Sequence, residues 1–208
     1  MANSDIKGRY IAADGDAADA DGVCQSQTPA ATGVQNLTIN GAQASGGVAT
    51  FTAARLITIT SAGTDDNRTF TVVGTDVNGA AQTETITGPD TATVTGTLYF
   101  RTVTQVSVDD DTAGAITVGM ADNALDVIFA GRMRLRGIYF IHTGAAGSIA
   151  VRNGGASGAI GVQLGTVGSA TAMSDVEMRD NGIVFSDGGY IAYLVSAPAF
   201  ANLTAFYA

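Results

Sequence analysis

His142 is the one histidine of the chain. It ends an apolar run that includes Ile138 and Phe140, and no cysteine or second histidine stands near it in sequence. A histidine-based metal site needs further nitrogen or sulfur ligands. A serine triad needs a histidine set between a carboxylate and a nucleophile, and no Gly-x-Ser-x-Gly elbow is present. A structural role is therefore expected of His142. Cys24 is the single cysteine, so it has no disulfide partner within the chain. Without a basic neighbour to lower its pKa it is not expected to act as a nucleophile.

The acidic residues come closest to a ligand set. Asp14, Asp16, Asp19 and Asp21 crowd one short stretch, and Asp14 and Asp16 fit the opening of a calcium loop. The glycine then falls out of register, and the twelfth position is Gln25 where a bidentate glutamate is needed. Asp65-Asp66 and Asp109-Asp110-Asp111 read as strand-ending turns, with a weak cation at either left open. Spacing alone leaves paired carboxylates for glycoside hydrolysis open as well, but the tryptophans expected to stack on a sugar are absent. Gly144-Ala145-Ala146-Gly147 and residues 153–158 lack the following Lys-Ser/Thr and helix of a phosphate loop, and read as turns. No catalytic residue, metal or cofactor is expected.

Arg132, Arg134 and Arg136 form the most informative charged pattern. In a strand, period two sets the three arginines on one face and Met133 and Leu135 on the other. Two readings stand: a solvated outer face, or a basic stripe that docks on an acidic surface of a neighbouring subunit. Nucleic acid is a poor partner for a chain of net charge -9, because that charge opposes approach to a polyanion.

The elements that must carry these residues are strands. Glycine, threonine, valine and alanine dominate, and lysine occurs once, at Lys7. Charged residues are 14% of the chain, below the ~25% of an average globular protein. With a mean hydropathy of +0.22, this fits strands buried on both faces, or on one face and at a subunit interface. No stretch approaches the ~18 consecutive apolar residues of a membrane helix. The start of the chain lacks a basic, apolar signal segment, so synthesis in the cytosol is expected. Acidity is uneven: residues 1–124 hold 14 acidic and 5 basic side chains, and residues 125–208 hold 5 of each. Two units are therefore expected.

Residues 1–34 show no sustained period and read as an extended N-terminal arm held by neighbouring subunits. Alternation begins at Gln35, with Leu37–Ile39, Val48–Phe51, Arg55–Thr60, Arg68–Gly74, Gln82–Thr87, Leu98–Val108 and Ala115–Val118. Asn78-Gly79 is a strong hairpin signal, since both residues tolerate positive φ. A second set follows: Leu125–Phe129, Arg132–His142, Ser148–Arg152, Ile160–Leu164, Val176–Met178, Ile183–Phe185, Tyr190–Val195 and Leu203–Tyr207. The expected fold is all-β, with two antiparallel β-sandwich domains of immunoglobulin-like or jelly-roll-like kind, at 35–121 and 122–208.

Two stretches carry a family likeness. The first runs through Leu56-Ile57-Thr58-Ile59-Thr60, Thr69–Gly79, Thr83–Pro89 and Thr95–Thr104. It resembles modules of structural proteins in tailed bacteriophages. The second, Asp180–Tyr190 with Leu203–Tyr207, is similar to small phage β-sandwich proteins. The resemblance implies a virion structural protein, foremost a capsid decoration (cement) protein, with a tail, collar or head-tail connector component as the alternative. It implies assembly in the host cytoplasm into the virion. Its partners would be further copies of itself, as a homotrimer, and the major capsid protein or other virion proteins, without membrane or nucleic acid. A carbohydrate-binding or receptor-binding module is the alternative from another class; Tyr10, Tyr99, Tyr139, Tyr190, Tyr193 and Tyr207 would be its stacking platforms.

Overall fold

A computed structural model of the chain describes residues 6–12, 17–142, 146–166, 172–179, 181–195 and 200–208. Every regular element among them is a β-strand. In chain order these are β1 (Lys7–Ala12), β2 (Asp19–Gln27), β3 (Gln35–Asn36), β4 (Ala44–Ser45), β5 (Val48–Ser61), β6 (Thr69–Thr75), β7 (Ala81–Thr87) and β8 (Thr93–Val108). They continue as β9 (Ile116–Phe129), β10 (Met133–His142), β11 (Gly147–Asn153), β12 (Ile160–Thr166), β13 (Ala172–Glu177), β14 (Ile183–Phe185), β15 (Gly189–Val195) and β16 (Phe200–Tyr207). The fold is all-β and built on antiparallel sheets. Among the described residues no helix is long and apolar enough to cross a membrane.

The chain divides into two compact units, Ala18–Ala121 and a second made of Met1–Ala17 with Asp122–Ala208. The division at Ala121–Asp122 falls inside β9, where the sequence suggests two shorter strands. Residues 1–34, expected as an extended arm, contain two paired strands. β1 lies antiparallel on β16, and β2 lies on the first half of β9.

In the unit Ala18–Ala121 the strand order is β9-β5-β8-β6-β7, with β2 on β9, β3 on β8 and β4 on β5. Alternation decides the faces. Phe70 and Val72 of β6 and Ile86 of β7 are buried, while Thr69, Thr71, Thr83, Thr85 and Thr87 point the other way. The core gathers Ile57, Ile59, Phe70, Phe100, Val106 and Ile116, with Cys24 among them. The β6–β7 hairpin follows the Asn78-Gly79 signal, but its turn is not built from two positive-φ residues. Only Gly79 has positive φ there, at 84°. The Asp76 carboxylate holds the loop by accepting the Asn78 and Ala80 amides, each at 2.8 Å.

One end of this unit is tied by Asp65, which is fully buried. Its Oδ2 accepts the Ser61 hydroxyl at 2.5 Å and its Oδ1 accepts the Ala113 amide at 2.7 Å. Its own amide donates to Pro89 O at 3.1 Å, so three connections meet on one residue. Arg55 is also fully buried, and its Nη1 donates to Ala121 O at 2.9 Å.

The second unit holds a five-stranded sheet, β1-β16-β10-β13 with β14 on β10. It also holds β12-β11-β15 with the second half of β9. Leu135, Ile138, Ile149, Ile191 and Leu203 are buried between them. Phe200 of β16 meets Phe140 at 5.7 Å and Tyr193 at 5.9 Å between ring centroids, both edge-to-face. Such aromatic pairs add to the stabilisation from area burial alone.

Candidate functional site

β10 positions the arginines. Met133 and Leu135 are buried, Arg134 and Arg136 are half-buried and turned outward, and Arg132 is exposed just ahead of the strand. The regular period ends at Arg136. Pairing to β16 steps from Leu135↔Tyr207 to Gly137↔Phe206, which leaves Arg136 as the extra residue of a bulge. A bulge re-aims side chains and shifts the alternation by one. Past it Gly137, Ile138 and Phe140 are buried, and the half-buried Tyr139 and Ile141 join Arg134 and Arg136 on the outer face.

The outer face then reads in rows across four strands. Tyr10, Thr204, Tyr139 and Asp175 form one, and Gly8, Phe206, Gly137 and Glu177 the next. Phe206 sits between two glycines, Gly8 and Gly137, in this row. Tyr10 is 59% exposed and Met173 70%, and these lie on neighbouring rows of one face. Tyr10 donates to Asn202 Oδ1 at 2.6 Å, and the Tyr139 hydroxyl reaches Met173 Sδ at 2.9 Å. Beside Phe206 lies a groove of about 440 Å³ lined by Ile6, Arg136, Gly137, Asp175, Glu177 and Met178. A second hollow of about 380 Å³ lies between Arg134, Arg136 and Asn181. Arg134 is engaged, donating from Nη1 to Asn181 O at 3.0 Å. The side chains of Arg132, Arg136, Asp175 and Glu177 have no hydrogen-bond or ion-pair partner among the described residues.

No family model matches the chain, and no curated protein or solved structure matches it. The site is therefore read from its own chemistry: apolar and aromatic side chains together with the unpaired Arg136 guanidinium and the unpaired Asp175 and Glu177 carboxylates. This suits a polypeptide surface, which offers groups of both signs with apolar contacts between them.

The remaining candidates from the sequence are engaged otherwise. His142 ends β10, half-buried, and its Nδ1 has no partner among the described residues. Asp14 and Asp16 lie outside those residues. Asp19 and Asp21 are neighbours on β2; a hydrogen bond from Asp19 and then its charge hold the Asp21 carboxyl above the ordinary range. In the Asp109–Asp111 run, Asp109 Oδ1 accepts the Thr69 amide and Asp111 Oδ1 pairs with Arg68 at 2.8 Å. Asp110 accepts the Gly33 and Asp111 amides, which hold its carboxyl below the usual range. Among the described residues no three His, Cys, Asp or Glu side chains are grouped to hold a metal ion. Of the tyrosines, Tyr190 and Tyr193 are buried, and Tyr207 stacks on Phe129 at 5.5 Å.

The sequence reading missed Ile6, Asp175, Glu177, Met178 and Phe206, because pairing brings them to Arg136 from distant segments. One signal was available: in Met173-Ser174-Asp175-Val176-Glu177, charge alternates with period two beside a lone valine.

Cys24 yields a direct test of its burial. Desolvation pushes its thiol up to about 12, so thiolate is scarce at neutral pH. Native protein is expected to resist a water-soluble maleimide, with labelling appearing only as the unit Ala18–Ala121 unfolds. Rapid stoichiometric labelling of folded protein, followed by mass spectrometry, would contradict the buried placement.

Proposed function

We propose that this chain is a non-enzymatic structural protein of a tailed-phage virion. In this reading it is a decoration (cement) protein that binds the outer head surface through protein–protein contacts and stabilises capsomer junctions. The observation that carries the reading is the outer face of β1, β16, β10 and β13. It sets exposed Tyr10, Met173 and Phe206 beside Arg136, Asp175 and Glu177, all on one sheet. Aromatic residues and arginine are the side chains enriched where interfaces gain most of their binding energy. The two units would act as two β-sandwich modules, with residues 1–34 contributing a strand to each. The partners are further copies of the chain, as a trimer, and the major capsid protein. Modest contacts at each copy add up over a shell that repeats them.

A tail, collar or connector component would use the same face but occupy one vertex. The exposure of Tyr10 favours, as a second reading, a receptor- or glycan-binding module. The test is to incubate purified protein with phage heads lacking it, and to image the particles. Protein distributed over the capsomer junctions is expected. Density confined to one vertex favours the connector, and failure to bind particles together with specific retention on a glycan array favours the second reading.

A further inference from the structure

Among the described residues the two main strand paths end in β1, β13, β7 and β12, and the first three of these carry charge; β2, β3, β4 and β14 lie off the paths, each on a single partner. β1 bears Lys7 and Arg9, β13 bears Asp175 and Glu177, and β7 turns Glu84 inward. Glu84 is buried, and its Oε1 accepts the Thr97 amide at 2.5 Å and the Leu98 amide at 3.2 Å. Charges on an edge, inward-pointing ones included, are how sheets prevent another strand from adding there. β12 has no such guard. Among the described residues it pairs with β11 alone, and no charged residue or proline occurs anywhere from Asn153 to Ser174. Its bulge against β11 lies at its start, between Ile160 and Val162. There Gly161 lies so close to the Phe185 ring that a Cβ would come within 2.7 Å of it. From Val162 onward the pairing to β11 is regular.

The order of residues on β12 says what fits that edge. Gly161-Val162-Gln163-Leu164-Gly165 reads nearly the same in both directions about Gln163. Antiparallel pairing of two copies about a twofold axis through Gln163 sets Val162 opposite Leu164, glycine opposite glycine, and one Gln163 amide opposite its mate. A twofold contact confronts each residue with its own surroundings. A charged edge would meet its own charge, which is unfavourable in directly opposed pairs; this uncharged one does not.

We propose that β12 pairs with β12 of a second copy of this chain, an antiparallel strand addition that joins two molecules through Val162, Gln163 and Leu164. This contact is separate from the arginine face and does not rest on the virion reading.

Full-length protein is expected to sediment with an even number of copies, a hexamer where the proposed trimer also forms and a dimer where it does not; a plain trimer or a monomer counts against the contact. A Gln163→Cys variant is expected to cross-link between copies under mild oxidation. Cys24 is buried and does not compete, and a Thr85→Cys variant on the exposed face of β7 serves as control. Gln163→Lys, at an exposed position, is expected to weaken the dimer roughly tenfold or more, and Gln163→Asn to retain it. A monomeric wild type overturns the proposal. So does Gln163→Cys cross-linking no faster than Thr85→Cys, or Gln163→Lys leaving the mass unchanged. Arg136→Glu should leave the Gln163→Cys cross-link intact, so loss of particle binding in that variant bears on the virion reading alone.

Discussion

Asp65→Ala is expected to lower the stability of the unit Ala18–Ala121 by about 2–4 kcal/mol, because the buried Ser61 hydroxyl and the part-buried Ala113 amide lose their acceptor at once. Asp65 is fully buried, and it accepts the Ser61 hydroxyl at 2.5 Å and the Ala113 amide at 2.7 Å. In the alanine variant the part-buried Ala113 N–H loses its carboxylate acceptor, at a residue that is itself open to water. Ser61 keeps an alternative, for its hydroxyl can turn to Gly63 O at 3.0 Å. The Ser61→Ala variant should therefore cost less than Asp65→Ala, and the double variant less than the sum. Chemical denaturation of the three proteins measures this. An Asp65→Ala loss under about 1 kcal/mol, the net value of one ordinary hydrogen bond, would show that this end of the unit is held by other means.

Arg136→Glu is expected to reduce particle binding roughly 30-fold or more, the scale of an interface hot spot, while leaving stability within about 0.5 kcal/mol of wild type. The two halves of that expectation come from one observation. The Arg136 side chain has no partner among the described residues, so the fold does not depend on its charge. It walls both the 440 Å³ groove and the 380 Å³ hollow, so anything seated on the outer face meets it. Reversal also adds a third carboxylate beside Asp175 and Glu177. Arg136→Lys should fall between, since an ammonium keeps the charge but not the planar fork of donors. Co-sedimentation with heads at several salt concentrations would read the effect. Binding unchanged in Arg136→Glu would remove the groove from the interface.

Strand class was legible wherever alternation was clean. Phe70 and Val72 on one face of β6, Ile183–Phe185 as a short strand, and Met133 and Leu135 opposed to the arginines could all be read from period two. Strand length was not. Val48–Phe51 and Arg55–Thr60 are one strand, β5, because register shifts against β8 let it run on where the pattern breaks. Arg55 illustrates why: a charged side chain reads as an end or a solvent face, yet it lies fully buried and donates to Ala121 O. Likewise, nothing near Asp65 in sequence tells that Ala113 lies over it. The bulge at Arg136 was half-legible, since buried positions change from odd to even between Leu135 and Ile138. The groove was not legible, since Ile6 and Phe206 meet Arg136 only through the pairing of β1 and β10 with β16.

That pairing has a consequence for how the molecule matures. β1 takes its place against β16 through partners about 200 residues apart, Lys7 with Tyr207 and Ile11 with Leu203. Closing so long a loop is slow relative to local hairpins such as β6–β7. On the ribosome, β1 emerges before β16 and must wait until β16 has been made. A truncated or stalled product can complete the β6–β7 hairpin but cannot bring Tyr10, Phe206 and Arg136 together. Only chains that have extended through β16 can display the outer face, which withholds it from partners until the sheet is complete.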